Sequence, residues 1–170
     1  PPISGLNSSR VFFLWTMEDA VRLRENLPKT STIGIIGAGI LGVEAAVDLA
    51  NQGKRVILFD REDRVLPLHL AGEPERRYRQ FLQTKGIQFR PGVSVSALVE
   101  RDHRMDISTS AGETVSVDAV WVMAGVAPNV GLAKSAGLAC GRGILVDSYL
   151  TTSDPDILAC GNCVEIEGHS

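Results

Sequence analysis

The chain has 170 residues, 44% of them hydrophobic and 22% charged, an ordinary globular composition that excludes a disordered or fibrous class. A net charge of −3 gives no broad basic field, and no apolar run nears the roughly 20 residues that cross a bilayer, so neither nucleic acid nor a membrane is an expected partner. Three cysteines, an odd number in a chain able to bury a core, argue against a disulfide framework, and the expected setting is cytoplasmic.

Residues 1–10 carry prolines, glycine and small polar residues and read as a linker, as if the chain were entered mid-protein. Val11 to Leu14 suits a short strand, and Thr16 with Asp19 makes a capping-box start for a helix that places Ala20, Val21, Leu23 and Leu27 on one side and stops at Pro28. The β-branched run Thr32 to Gly37 predicts a strand, the stretch from about Ile40 to Gln52 a helix, and Arg55 to Phe59 a second strand. Together they form a βαβ unit with a right-handed crossover.

Residues 61–67 read as a polar loop, and 73–85 as a helix with Tyr78, Phe81 and Leu82 inward. On that helix Arg76, Arg77 and Arg79, beside Glu73 and Glu75, read as a solvated face. Gly86 ends the helix, and Ile87 to Arg90 gives a third short strand. Val93 to Glu100, Met105 to Ser110 and Thr114 to Val117 then alternate apolar and polar residues, the pattern of an antiparallel meander. Ala119 to Met123 is apolar throughout, as a central strand buried on both faces requires. The expected fold is α/β: a three-layer Rossmann-like domain with a parallel central sheet and a three-stranded antiparallel β-meander.

The chemistry-bearing turn is Gly37-Ala38-Gly39-Ile40-Leu41-Gly42, a GxGxxG between strand and helix. Gly37 serves the tight turn, Gly39 the close approach of backbone to a pyrophosphate, and Gly42 the packing of helix on strand. The free N–H groups at the helix start, around Ile40 and Leu41, face the anion. Asp60 ends the second strand about 20 residues further on, where a carboxylate can accept both hydroxyls of an adenosine ribose. A carboxylate there repels a 2′-phosphate and favours NADH over NADPH, although Arg61 and Arg64 stand close enough to oppose that preference. Cys160-Gly161-Asn162-Cys163 has CxxC spacing, but no second CxxC exists, and His69, His103 and His169 are scattered. The residues before it, Ile157-Leu158-Ala159, read as a short buried strand, not as the approach to a redox-active helix.

GxGxxGxE, the acid after the second strand, the meander and Ala124-Gly125-Val126-Ala127-Pro128-Asn129 together resemble the NAD domain of the pyridine nucleotide-disulfide oxidoreductases. Gly143 to Asp147 and Thr151 to Asn162 resemble that family's return into its FAD domain, and Pro1 to Gly5 the exit from its first FAD segment. Within the family, the tail from Gly161 to Gly168 is most similar to NADH-dependent rubredoxin reductases, NADH oxidases and the flavin-binding part of nitrite reductases.

This resemblance implies a linker and helix over 1–29, an NAD(H)-binding domain over 30–130 and a return segment over 131–170. It implies that Glu44 lies near the nicotinamide, Gly125 against the dinucleotide, and Gly161 with Asn162 at the FAD, Asn162 standing where the family usually has aspartate. It further implies hydride transfer from NADH to FAD and electron passage to rubredoxin, nitrite-reductase centres, oxygen or a disulfide. Under that mechanism no residue of this chain need act as nucleophile or general acid. Expected partners are NADH, the FAD domain of the same polypeptide and a redox-protein acceptor; a homodimer is compatible with the sequence but not fixed by it. A non-catalytic NAD(H)-sensing domain is the alternative, and the meander and the FAD-like ending count against it. A single-domain dehydrogenase lacks a plausible acid or base.

Overall fold

The computed structural model describes residues 3–166. Pro1, Pro2 and 167–170, with the ends of the opening and closing segments and His169, lie outside the described residues. Two compact units divide between Gly125 and Val126.

In the first unit the elements run β1 (Val11–Phe12), α1 (Met17–Asn26), β2 (Thr32–Ile36), α2 (Ile40–Asn51), β3 (Arg55–Phe59), α3 (Gly72–Thr84) and β4 (Gln88–Arg90). The meander follows as β5 (Val95–Arg101), β6 (Arg104–Thr109) and β7 (Thr114–Val117), and β8 (Ala119–Val122) closes the unit. The central sheet is parallel, in the order β1-β8-β2-β3-β4.

Its strands β1, β2, β3 and β8 are buried without alternation because both faces are covered, whereas the edge strand β4 alternates. Ile33 and Ile35, Val56 and Leu58, and Ala119 and Trp121 pack with the helices, in one cluster that includes Leu23, Val43, Leu49 and Leu82. The intervening Ile36, Ile57, Phe59 and Val120 pack on Leu98, Met105, Ile107 and Val117 of the meander. The period-two direction of strand side chains thus builds three layers, helices, parallel sheet and meander. Gly34 faces the meander, where an added Cβ would lie 2.5 Å from Ile107 Cδ1.

Local chemistry sets the ends of the elements. The Thr16 hydroxyl accepts from the Asp19 N–H at 3.2 Å and the Asp19 carboxylate accepts from the Thr16 N–H at 3.1 Å, completing the expected capping box. A 3₁₀ turn over Leu27–Lys29 carries Pro28, and Lys54 Nζ donates to its Leu27 carbonyl at 2.7 Å and to the Thr30 carbonyl at 2.6 Å.

At the amino end of the sheet the Asp118 carboxylate accepts from the Ser31 and Thr32 N–H groups at 2.8 and 2.9 Å and pairs with Arg104 of β6 at 3.0 Å. Burial pushes this carboxyl up, but the two N–H groups and the guanidinium groups of Arg104 and Arg10 outweigh it and hold it below the usual carboxylate range. A depressed folded-state value stabilises the protein above the unfolded value near about 4 and loses that contribution as the pH falls through the folded value. Asp118→Asn is therefore expected to cost about 1–2 kcal/mol at neutral pH. In denaturant titrations the gap between variant and parent should close below about pH 4; a pH-independent gap would show that the charge contributes nothing.

Three expectations need correction. Phe81 is 39% exposed, not inward, because the inward stripe of α3 is the buried Glu75 and Leu82 with the half-buried Tyr78, and Phe81 sits about 100° round the helix from Leu82. Arg76 and Arg77 do pair with Glu73 in solvent, but Glu75 and Arg79 do not belong to that face, Glu75 being only 4% exposed. In the second unit, Ile157-Leu158-Ala159 is not a buried strand. Leu158 is 69% exposed and makes a single antiparallel bridge to Thr151.

That second unit contains α4 (Gly131–Ser135) and the parallel pair β9 (Ile144–Val146) and β10 (Val164–Ile166). Ala133, Ile144 and Val146 form its small core. The Glu165 carboxylate accepts from the Gly143 N–H at 2.8 Å and fastens the start of β9. Among the described residues no helix is long and apolar enough to cross a membrane.

Candidate functional site

The carboxyl ends of β2 and β8 meet where the strand order reverses, with β3 and β4 on one side of β2 and β8 and β1 on the other. Such a switch point opens a crevice beyond the strand ends, the usual ligand position in an open α/β sheet. The glycine turn sits there. Gly37 has φ +111, and a side chain on it would overlap the carbonyl of Met123 as the chain leaves β8. A side chain on Gly42 would overlap the Gly37 carbonyl oxygen, so the first turn of α2 can lie on the strand end only without a Cβ. Gly39 differs, since a Cβ there would meet no protein atom within 4 Å.

Gly39 is the N-cap of α2, and no side chain caps that helix. Its first backbone bond runs from the Val43 N–H to the Gly39 carbonyl at 3.0 Å, which leaves the N–H groups of Ile40, Leu41 and Gly42 ahead of the ladder. Ile40, Leu41 and Glu44 share the exposed face of α2, opposite the buried Val43, Ala46 and Leu49. Open space at Gly39 and uncapped donors beside it fit a pyrophosphate.

Asp60 follows β3 and is built into the turn. One carboxylate oxygen accepts from the buried Ala38 N–H and the other from the Glu62 N–H at 2.9 Å. A carboxylate offers about four acceptor directions, so capacity on both oxygens remains for a pair of vicinal hydroxyls. The Ala38 carbonyl is held as well, accepting from the Leu66 N–H at 2.8 Å, and the Gly37 N–H donates to the Phe59 carbonyl at 2.8 Å. The turn is thus fixed by hydrogen bonds before any ligand arrives.

The loop after Asp60 carries both signs of charge. Arg61 lies 3.4 Å from the Glu62 carboxylate and Arg64 3.5 Å from that of Asp63, both pairs being solvent-exposed. Beneath the loop, Glu75 Oε1 accepts from the Val65 N–H at 3.1 Å and from Arg79 Nη2 at 2.7 Å. Burial pushes the Glu75 carboxyl up, but these bonds outweigh it and hold it below the usual range. Neither Glu75 nor Leu66, whose φ is +51, stood out in the sequence. The one available signal for Glu75 was its place on the inward stripe with Tyr78 and Leu82.

Gly37, Gly39, Ile40, Leu41, Gly42, Glu44, Asp60 and Arg61 thus belong to one contiguous region after β2 and β3. Gly125 lies at the exit of β8, exposed, with φ +92. Gly161 and Asn162 lie in the second unit, both exposed, on the turn before β10, where the Cys163 thiol donates to the Cys160 carbonyl at 3.3 Å.

These features define a Rossmann-like α/β domain with an antiparallel layer on one face of its sheet. The Pyridine nucleotide-disulphide oxidoreductase profile matches residues 1–169, and the chain belongs to that family. It is 35% identical over 168 residues to the nitric oxide reductase FlRd-NAD(+) reductase of Vibrio vulnificus and 35% identical over 170 residues to the rubredoxin-NAD(+) reductase of Alcanivorax borkumensis. Each comparison covers 99% of this chain but 44% of the relative, so the chain spans less than half the length of these proteins. Among solved structures, the water-forming NADH oxidase from Lactobacillus brevis bound to NADH superposes with a TM-score of 0.91 at 28% identity, over 96% of this chain and 36% of that one.

Proposed function

We propose that this chain is the NADH-binding part of a FAD-dependent oxidoreductase that takes hydride from NADH and passes electrons to a separate acceptor. One observation carries the reading: an open cradle at Gly39, beside uncapped N–H groups, lies next to a carboxylate already held in place by the same turn. In this reading residues 30–130 hold NADH and residues 131–170 lead towards the FAD domain. The Gly39 cradle and the N–H groups of Ile40 and Leu41 hold the pyrophosphate. Asp60 accepts the ribose hydroxyls, Glu44 stands near the nicotinamide, and Gly125 lets the dinucleotide approach the exit of β8. Gly161 and Asn162 contact FAD, with the Asn162 amide serving a sugar hydroxyl. FAD, when bound, supplies the hydride acceptor.

The contribution of this chain is to hold the nicotinamide in place, so no side chain here needs to exchange a proton with the substrate. Two relatives are named as NAD(+) reductases, one of them for rubredoxin, and a redox protein in the cytoplasm is the acceptor class that fits best. NADH is the preferred cofactor because Asp60, Glu62 and Asp63 outnumber Arg61 and Arg64 in the loop, and each arginine already faces a carboxylate.

Fluorescence titration of the full-length protein with NADH and NADPH tests this directly. NADH should bind at least about tenfold more tightly, the equivalent of roughly 1.4 kcal/mol. Equal affinities would remove the preference, and no binding of either cofactor would remove the reading.

A further inference from the structure

We propose that Glu75 is a positioning residue for the adenosine half of the dinucleotide, acting through the 60–66 loop; the proposal rests on the NADH-binding reading above. Taking a carboxylate out of water is costly unless good geometry and further hydrogen bonds repay it, and here its partner Arg79 stays partly exposed. Glu75 is 4% exposed, on a helix whose other glutamate, Glu73, lies in solvent. Its Oε1 accepts from Arg79 Nε and Nη2 at 3.1 and 2.7 Å and from the Val65 N–H at 3.1 Å. Arg79 Nη2 also donates to the Asp63 carbonyl at 2.7 Å, and the guanidinium lies 5.5 Å from the Phe89 ring centroid.

The backbone bonds of the ion pair therefore end on one segment, at Asp63 and Val65. The next residue, Leu66, donates to the Ala38 carbonyl at 2.8 Å from a left-handed backbone, and the Ala38 N–H is bound by Asp60. Glu75 is thus connected through Val65 and Leu66 to the residue between Gly37 and Gly39, and through it to the ribose acid. An apolar pair of similar size would fill the same space, but it would leave the Val65 N–H without its acceptor and free the segment that holds Ala38.

Two variants of the full-length protein test the proposal. Glu75→Leu removes the acceptor, whereas Glu75→Gln keeps an oxygen for the Val65 N–H. Glu75→Leu should raise the Kd for ADP-ribose about tenfold and leave that for reduced nicotinamide mononucleotide within about twofold, and Glu75→Gln should recover most of the loss. A purely structural role would lower the melting temperature without separating the two half-ligands. In the parent protein, which needs no variant to fold, ADP-ribose should slow hydrogen exchange at the Val65 and Leu66 amides. If ADP-ribose binds but gives no such protection, or if folded variants lose affinity equally for both half-ligands or for neither, the proposal is overturned alone. If the parent binds neither ADP-ribose nor NADH, the dinucleotide reading is overturned with it.

Discussion

Gly39→Ala is expected to leave the fold nearly unchanged and to raise the Kd for NADH about 100-fold. The backbone at Gly39 has φ −74 and ψ −174, which alanine adopts without strain, and the added methyl would meet no protein atom within 4 Å. Its cost to stability is that of an unfavourable N-cap residue, about 1 kcal/mol. In the proposed reading the methyl would occupy the space through which a pyrophosphate reaches the N–H groups of Ile40 and Leu41. Losing one or two charge-assisted bonds of about 1.5–3 kcal/mol each gives the expected change in affinity.

Gly42→Ala, three residues later in the same motif, should behave in the opposite order. Its methyl would overlap the Gly37 carbonyl, so the helix must lift from the strand end. That should cost about 3 kcal/mol, or roughly 10 °C in Tm, before any ligand is added. Calorimetry beside NADH titration separates the two. A Gly39→Ala protein that binds NADH like the parent would show that the cradle is not the pyrophosphate site.

Asp60→Ala carries the second large effect, because in the proposed reading one side chain serves both ligand and turn. Removing it takes away the proposed ribose acceptor and leaves the Ala38 N–H buried without a partner. The expected outcome is a rise in the Kd for NADH of about 100-fold and a loss of stability of about 1–3 kcal/mol. Affinity for NADPH should fall far less, because the repelling charge leaves while Arg61 and Arg64 stay, so the ratio between the cofactors should collapse. Parallel losses for both cofactors would instead mean that Asp60 acts only on the turn.

The parts of the site that were legible in the sequence are those in which one residue type satisfies a local demand. The glycine spacing, the β-branched run before it and the acid at the end of the next strand each follow from short-range geometry. The meander was legible through its alternation, and β8 through its lack of it. What escaped depends on tertiary partners. Glu75 looks like one more charge in Glu73 to Arg79 until the fold sets Val65 above it. Phe81 was misplaced because an aromatic residue beside Leu82 looks apolar in any window, whereas the phase of α3 is set by Glu75, Tyr78 and Leu82. Leu158 reads as strand core but belongs to a turn-rich segment with a single bridge.

The place of β8 between β1 and β2 has a consequence for how the chain reaches its native state. Phe12 aligns with Trp121 on one side of β8, and Ile35 with the same Trp121 on the other. A chain emerging from the ribosome therefore carries two incomplete strand edges until the last strand of the first unit has been made. Loop closure over such separations is slow, and unpaired apolar edges invite association. The nascent domain is most vulnerable late in synthesis, and the segment that ends that vulnerability also brings Met123 against the glycine turn.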